Sequence, residues 1–211
     1  MAERAGNSVY QTLIVLDDVL ENAEELRQAA LGLDYADKTE RDYFPGRNSA
    51  HNVRIPALDE LAQRLTGEQL VPGTEMHGKF RLASAQDTAR GGVHVDQCNW
   101  SGLYFLSEDS DCVGGTDFFR HRETNSEHAP YTQAHLAQWG YKSYKDFVDR
   151  VATPQAKDFS KWDRVMTIPM RFNRLILFRP WLWHNAGPGF GSVPEDSRLV
   201  YLMFLNNARP G

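Results

Sequence analysis

Cysteine is scarce in this chain. The 211 residues contain two, Cys98 and Cys112, too few for a disulfide framework and in keeping with a reducing compartment. Basic residues are outnumbered, 23 Lys and Arg against 28 Asp and Glu for a net charge of −5. Such a balance gives no basic stripe for nucleic acid or an anionic membrane surface. No apolar run approaches the roughly 20 residues needed to span a bilayer. Met1-Ala2-Glu3-Arg4-Ala5 lacks the apolar core of a signal peptide. Repeats, low-complexity segments and flexible linkers are missing as well. The expectation from these absences is a cytoplasmic protein whose partner is a small molecule, with no nucleic acid and no membrane. Its length suits one domain with a full-sized core, and 41% hydrophobic with 24% charged residues is ordinary for a globular chain.

Two textures divide that domain. Residues 1–78 carry helix signals. After a weakly alternating strand from Val9 to Leu16, Asn22 and Glu25 are spaced as a capping box for a helix over Ala23–Leu31, with Gly32 at its end. Pro56 opens a second helix over Ala57–Leu65, which stops near Gly67. From Lys79 onward short β-type runs take over: Phe80–Ala83, Gly92–Asp96, Gly102–Leu106, Thr116–His121, Val165–Met170, Leu175–Phe178 and Leu199–Leu205. Turn-prone segments separate them, the pattern of a sandwich or barrel. Tyr131–Trp139 and Tyr144–Ala152 read as helices inserted over one edge. The expected architecture is mainly β with flanking helices: N-terminal helical support over 1–78 and a jelly-roll core with a helical insertion over 79–211.

The chemistry lies in Gly92-Val93-His94-Val95-Asp96. In an extended strand alternate side chains share a face, so His94 and Asp96 project together. Gly91-Gly92 lets the chain approach closely just before them. A second imidazole, His184, ends the apolar Trp181-Leu182-Trp183, where a lone histidine requires a partner. Arg198 leads into Leu199-Val200-Tyr201-Leu202-Met203-Phe204-Leu205, and a guanidinium entering so apolar a run must be paired. Two histidines and one carboxylate on one side of a metal, with the other side open, make the ligand set of non-haem Fe(II) oxygenases. The same set describes catalytic zinc, although the helical His-Glu-x-x-His signature is missing. The arginine favours iron, because a two-pronged guanidinium suits the distal carboxylate of 2-oxoglutarate and has no necessary part in zinc hydrolysis.

His94-Val95-Asp96, Gly114-Gly115-Thr116-Asp117-Phe118, Trp183-His184 and Arg198 resemble the Fe(II)/2-oxoglutarate-dependent oxygenase superfamily, in its small bacterial branch related to the prolyl-hydroxylase type. The resemblance covers about Lys79–Asn206, and Tyr43-Phe44-Pro45-Gly46-Arg47 resembles the front half of that branch. It implies a double-stranded β-helix with Fe(II), 2-oxoglutarate and O2 at its mouth. It also implies oxidation of an unactivated C–H bond, most simply hydroxylation, with release of succinate and CO2. Asp96 argues against halogenation, since related halogenases lack the carboxylate. Tyr104 is a candidate hydrogen-bond donor to 2-oxoglutarate. Arg81, Arg47, Arg120, His121 and Trp183 are candidate substrate contacts, the arginines for a carboxylate. The favoured substrate is an amino acid, a small carboxylate or a natural-product intermediate. Two other readings stay open: a cupin-like metal enzyme that does not use 2-oxoglutarate, and a non-catalytic jelly-roll binding module.

Overall fold

A computed structural model describes residues 10–36, 44–87 and 92–208. Val9 of the expected first strand, Tyr43 of the Tyr-Phe-Pro-Gly-Arg segment and Gly91 of the glycine pair lie outside the described residues. Ten strands are described. A seven-stranded sheet comprises β1 (Leu13–Leu16), β2 (Arg47–Asn48), β3 (Leu70–Pro72), β4 (Phe80–Ala83), β5 (Trp100–Phe105), β8 (Arg174–Phe178) and β10 (Arg198–Asn207). Its order is β1-β8-β5-β10-β4-β2, with β3 also paired to β10. A smaller sheet runs in the order β7 (Trp162–Pro169), β6 (Gly115–His121), β9 (His184–Ala186). Every pairing is antiparallel, and the two sheets face one another as a double-stranded β-helix.

The period of two along each strand sorts the side chains. On β10, Leu199, Tyr201, Met203 and Leu205 join Phe80, Leu82, Trp100 and Tyr104 in a core covered by α1 (Ala23–Leu31) and α2 (Pro56–Thr66). The opposite parity puts Val200, Phe105, Ile176 and Phe178 into the space between the sheets, against Phe118 of β6. The register shifts between Phe118 and Phe119, where Val165 is an extra residue that bulges β7. Phe119, on the opposite face of β6 from Phe118, enters a third core with Trp162, Trp183, Leu136, Phe147 and Val151. That core is the underside of the insertion: α3 (Gln133–Gln138), α4 (Tyr144–Phe147), a π-helical turn (Val148–Ala152) and α5 (Thr153–Gln155). Among the described residues no helix is long and apolar enough to cross a membrane.

Several expectations change on contact with these elements. The first 78 residues are more than helical support, because β1, β2 and β3 are built into the large sheet. Asn22 makes no side-chain cap to α1; only its carbonyl takes part, accepting the Leu26 amide as in any first helical turn. Gly67 does end α2 in the left-handed conformation, at φ 70°, which a side chain would strain. Gly92–Asp96 is no ladder strand. It contributes only the isolated bridge His94↔His184, and its amides are satisfied piecemeal by Ala156, His184 and Pro180 carbonyls.

Candidate metal centre

The bridge that replaces the expected strand does what the strand was expected to do. His94 and His184 exchange both backbone hydrogen bonds, at 2.9 and 3.0 Å, so their rings start from directly opposed Cα atoms and lie 4.3 Å apart between centroids. Asp96, two residues on, falls on the same side. One ligand atom from each of His94, Asp96 and His184 lies within 4.8 Å of the other two. His184 Nε2 is 3.2 Å from Asp96 Oδ2, and His94 Nε2 is 3.8 Å from Asp96 Oδ1.

Surrounding polar groups fix how those atoms are presented. His94 Nδ1 faces the Gly92 carbonyl at 2.9 Å and His184 Nδ1 faces the Leu182 carbonyl at 2.8 Å. A carbonyl can only accept, so each Nδ1 carries a proton and each Nε2 is the atom turned inward. Burial first, and the adjacent His184 ring second, pull the His94 imidazole down to about 4, which keeps it neutral. Burial works to raise Asp96, but His184, His94 and a 2.6 Å hydrogen bond from the Ser101 hydroxyl hold it well below the carboxylate range. Two imidazoles and one carboxylate, each oriented by a second group, make a donor set suited to a divalent transition metal.

Arg198 occupies the inward parity of β10, next to Val200, and is 2% exposed. Its Nε and Nη2 find no hydrogen-bond partner among the described residues. Burial, with the charge of Arg81 behind it, pulls the guanidinium down to about 10, still a cation at neutral pH. The Thr116 hydroxyl, on the inward face of β6, is likewise buried without a partner. An anion between the sheets is what these groups lack. The intervening space is walled by Phe105, Phe118, Ile176, Phe178 and Val200, and Phe178 packs edge-on against the His184 ring, 4.7 Å away. Arg81 points inward too. It donates to Asn48 Oδ1 at 2.8 Å and stacks over Phe44 at 4.7 Å, and Phe44 in turn contacts the His94 ring at 5.0 Å.

The remaining candidates lie elsewhere. Tyr104 has the outward parity of β5: it is fully buried under α1 and α2 and donates to Asn173 Oδ1 at 2.5 Å, so it does not reach the space between the sheets. Arg47 is exposed on the face of β2 opposite Asn48. Arg120 is exposed and paired with Glu127 at 2.6 Å. His121 is completely buried with both ring nitrogens used, by Thr124 at 2.9 Å and Gln155 at 2.8 Å. Trp183, one residue from His184, points the other way into the core beneath the insertion. Ser101, Asn48 and Phe44, which contact Asp96, Arg81 and His94, carry no local sequence signal: Ser101 and Asn48 are placed by strand parity, which requires the register first, and Phe44 by a bend ahead of β2.

A family model described as a family of unknown function (DUF6445) matches residues 3–204. No curated protein matches. Among solved structures, HygX from Streptomyces hygroscopicus, with nickel and 2-oxoglutarate bound, superposes with a TM-score of 0.52 at 13% identity, covering 94% of this chain and 84% of that one. SnoN, described as the non-haem α-ketoglutarate-dependent epimerase of nogalamycin biosynthesis, superposes with a TM-score of 0.57 at 14% identity, covering 93% and 79%. Identities this low speak for a shared fold.

Proposed function

We propose, for a chain that belongs to DUF6445, a family of unknown function, the activity of an Fe(II)- and 2-oxoglutarate-dependent dioxygenase. It hydroxylates an unactivated C–H bond of a small carboxylate or amino-acid-like molecule and releases succinate and CO2. The observation that carries this reading is Arg198, a buried cation with two unpartnered nitrogens inside the sandwich that also presents His94, Asp96 and His184. A metal site of the same ligands that needed no diacid would have no use for it. Within the superfamily we place the chain in the branch related to the prolyl-hydroxylase type, on the Gly114–Phe118 motif. We take it to be a single cytoplasmic domain.

Each residue has a defined task. His94, Asp96 and His184 hold the metal from one side and leave the other side for co-substrates. Arg198 receives the distal carboxylate of 2-oxoglutarate, with the Thr116 hydroxyl on the facing sheet as a second donor. Phe105, Phe118, Ile176 and Val200 exclude water from the keto-diacid, which strengthens every charge contact within. Ser101 keeps Asp96 ionised and aimed, and the Gly92 and Leu182 carbonyls keep both imidazoles in the ligating tautomer. When bound, ferrous iron with 2-oxoglutarate and O2 supplies the oxidising power that no side chain has.

The test is spectroscopic. Fe(II) and 2-oxoglutarate added without oxygen to the intact protein should give the weak visible charge-transfer band of the chelate. His94→Ala and Asp96→Ala should each lose that band and turnover while melting as folded proteins. A wild-type sample that shows no band and no succinate release excludes the assignment.

A further inference from the structure

The chemistry of the cleft outside the metal centre narrows the substrate, on the premise of the function proposed above. Two cavities of about 450 and 560 Å³ flank the His94–Asp96 segment and share Val95, Gln97 and Tyr144 in their linings. Their sizes suit a small organic ligand, and the insertion roofs both. The first is walled by Pro130, Leu136 and Pro180 together with Tyr131 and Trp181. The last two rings stack at 4.7 Å and 26°, and Tyr10 extends the stack beyond Trp181 at 6.3 Å. The result is a flat aromatic wall on one side of the metal ligands. The second cavity runs under Val148, Ala152 and Pro154 to Lys157.

Charge is nearly absent from this lining. Among the described residues, apart from the metal-ligand candidates His94 and Asp96, Lys157 is the one ionic side chain lining either cavity. It has no ion pair among the described residues, whereas the nearby Arg120, Arg122 and Arg150 are tied to Glu127, Asp163 and Asp146. A carboxylate in the cleft therefore has one cation to meet. An ammonium has only Asp96, already engaged by Ser101 and the histidines, and an unpaired ammonium against apolar walls is costly. Gln97, where the two cavities meet, can hydrogen-bond an amide or hydroxyl on the piece that joins the ends.

We infer that the substrate is a ring-bearing monocarboxylate without a free amino group, such as an N-acylated aromatic amino acid. Its ring lies on Tyr131 and Trp181, its carboxylate at Lys157, and the connecting carbons pass the metal ligands. The inference selects, among small carboxylates, those that are not zwitterions.

Calorimetric titration of the metal-free protein with N-acetyl-L-phenylalanine and with L-phenylalanine tests this, and the Fe(II)/2-oxoglutarate band is read separately. A failed cleft and a failed metal centre then give different results. The N-acetyl compound should bind at least roughly tenfold more tightly. Lys157→Glu should weaken it roughly tenfold, since reversing a charge about doubles the loss of a surface pair. Tyr131→Ala should weaken it about fivefold and Tyr131→Phe should restore it. Both replaced side chains are exposed, so their replacement spares the core. Equal binding of the two ligands, no measurable binding of the N-acetyl compound, or affinity indifferent to both Lys157→Glu and Tyr131→Ala would overturn the inference.

Discussion

At the scale of single residues, the site and the scaffold are told apart by what each polar atom lacks. His121 is as buried as His184, yet both its nitrogens are occupied, so it packs and does nothing more. His94 and His184 turn Nδ1 to backbone carbonyls and Nε2 toward Asp96. Arg179 is also buried, but it donates to Glu68 and to the carbonyls of Gln11 and Asn99 and lies 3.9 Å over Trp100. Arg198 Nε and Nη2 have nothing equivalent among the described residues. A buried cation without a partner destabilises the fold that holds it, and an apolar residue of similar volume relieves that cost. Arg198→Met should therefore raise the melting temperature of the cofactor-free protein, by the equivalent of about 1 kcal/mol or more. The same variant should weaken 2-oxoglutarate roughly a hundredfold, the order expected for losing a desolvated charge partner. Calorimetric melting together with a 2-oxoglutarate titration of the visible band measures both. A variant that melts earlier and binds 2-oxoglutarate normally would mark Arg198 as structural.

Elements bring these residues together through contacts that tolerate little. A Cβ on Gly92 would sit 1.9 Å from the Ala156 carbonyl oxygen, the group that accepts from the Val93 amide at 2.8 Å. Gly92→Ala must push the end of the insertion away from the segment that carries His94 and Asp96. A loss of about 1–3 kcal/mol is expected, as for other overpacked positions. Faster hydrogen exchange should appear at Val93 and across the Val148–Ala152 turn, and an unchanged exchange pattern would show that the contact yields freely. The contact also shows where the sequence was legible. Gly92 announced a close approach, though not to which chain. α1 begins after Asn22 and ends before Gly32 as those flanking residues place it, and Phe80–Ala83 is a strand to the residue, because those signals are local. The Asn22 side chain does not cap because its backbone, at φ −101° and ψ 31°, is not in the extended conformation that aims a cap at the first free amides. Tyr104 and Trp183 were misassigned for a different reason. Each adjoins a residue that faces the interior, and a shift of one position along a strand reverses the face. Parity is set by which neighbour a strand pairs with, and the pairing of β10 with β5 joins segments about a hundred residues apart in sequence.

At the scale of the molecule, the N-terminal segment closes the large sheet and is clasped at its far end by charge. Asp17, just past β1, receives Arg174 Nε at 2.5 Å and Arg171 Nη1 at 2.7 Å. The hydrogen bond from Arg174 is the main cause that brings its carboxyl down to about 2. A carboxyl lowered in the folded state stabilises the fold above its unfolded value and loses that contribution as pH falls toward the folded one. The urea midpoint of the wild type should therefore exceed that of Asp17→Asn at neutral pH. The gap should close as pH drops from about 4 to about 2. A gap that persists in acid would separate the clasp from ionisation. The reciprocal amide bonds of His94 and His184 have a different reach. They are ordinary backbone pairing, complete before any ion arrives, so chain assembly and ion loading are separate events. A protein built this way can be stripped with a chelator and reloaded without refolding. Divalent ions can also exchange on the finished scaffold, and because copper and nickel bind such donors more tightly than iron, which ion resides there follows from cellular supply.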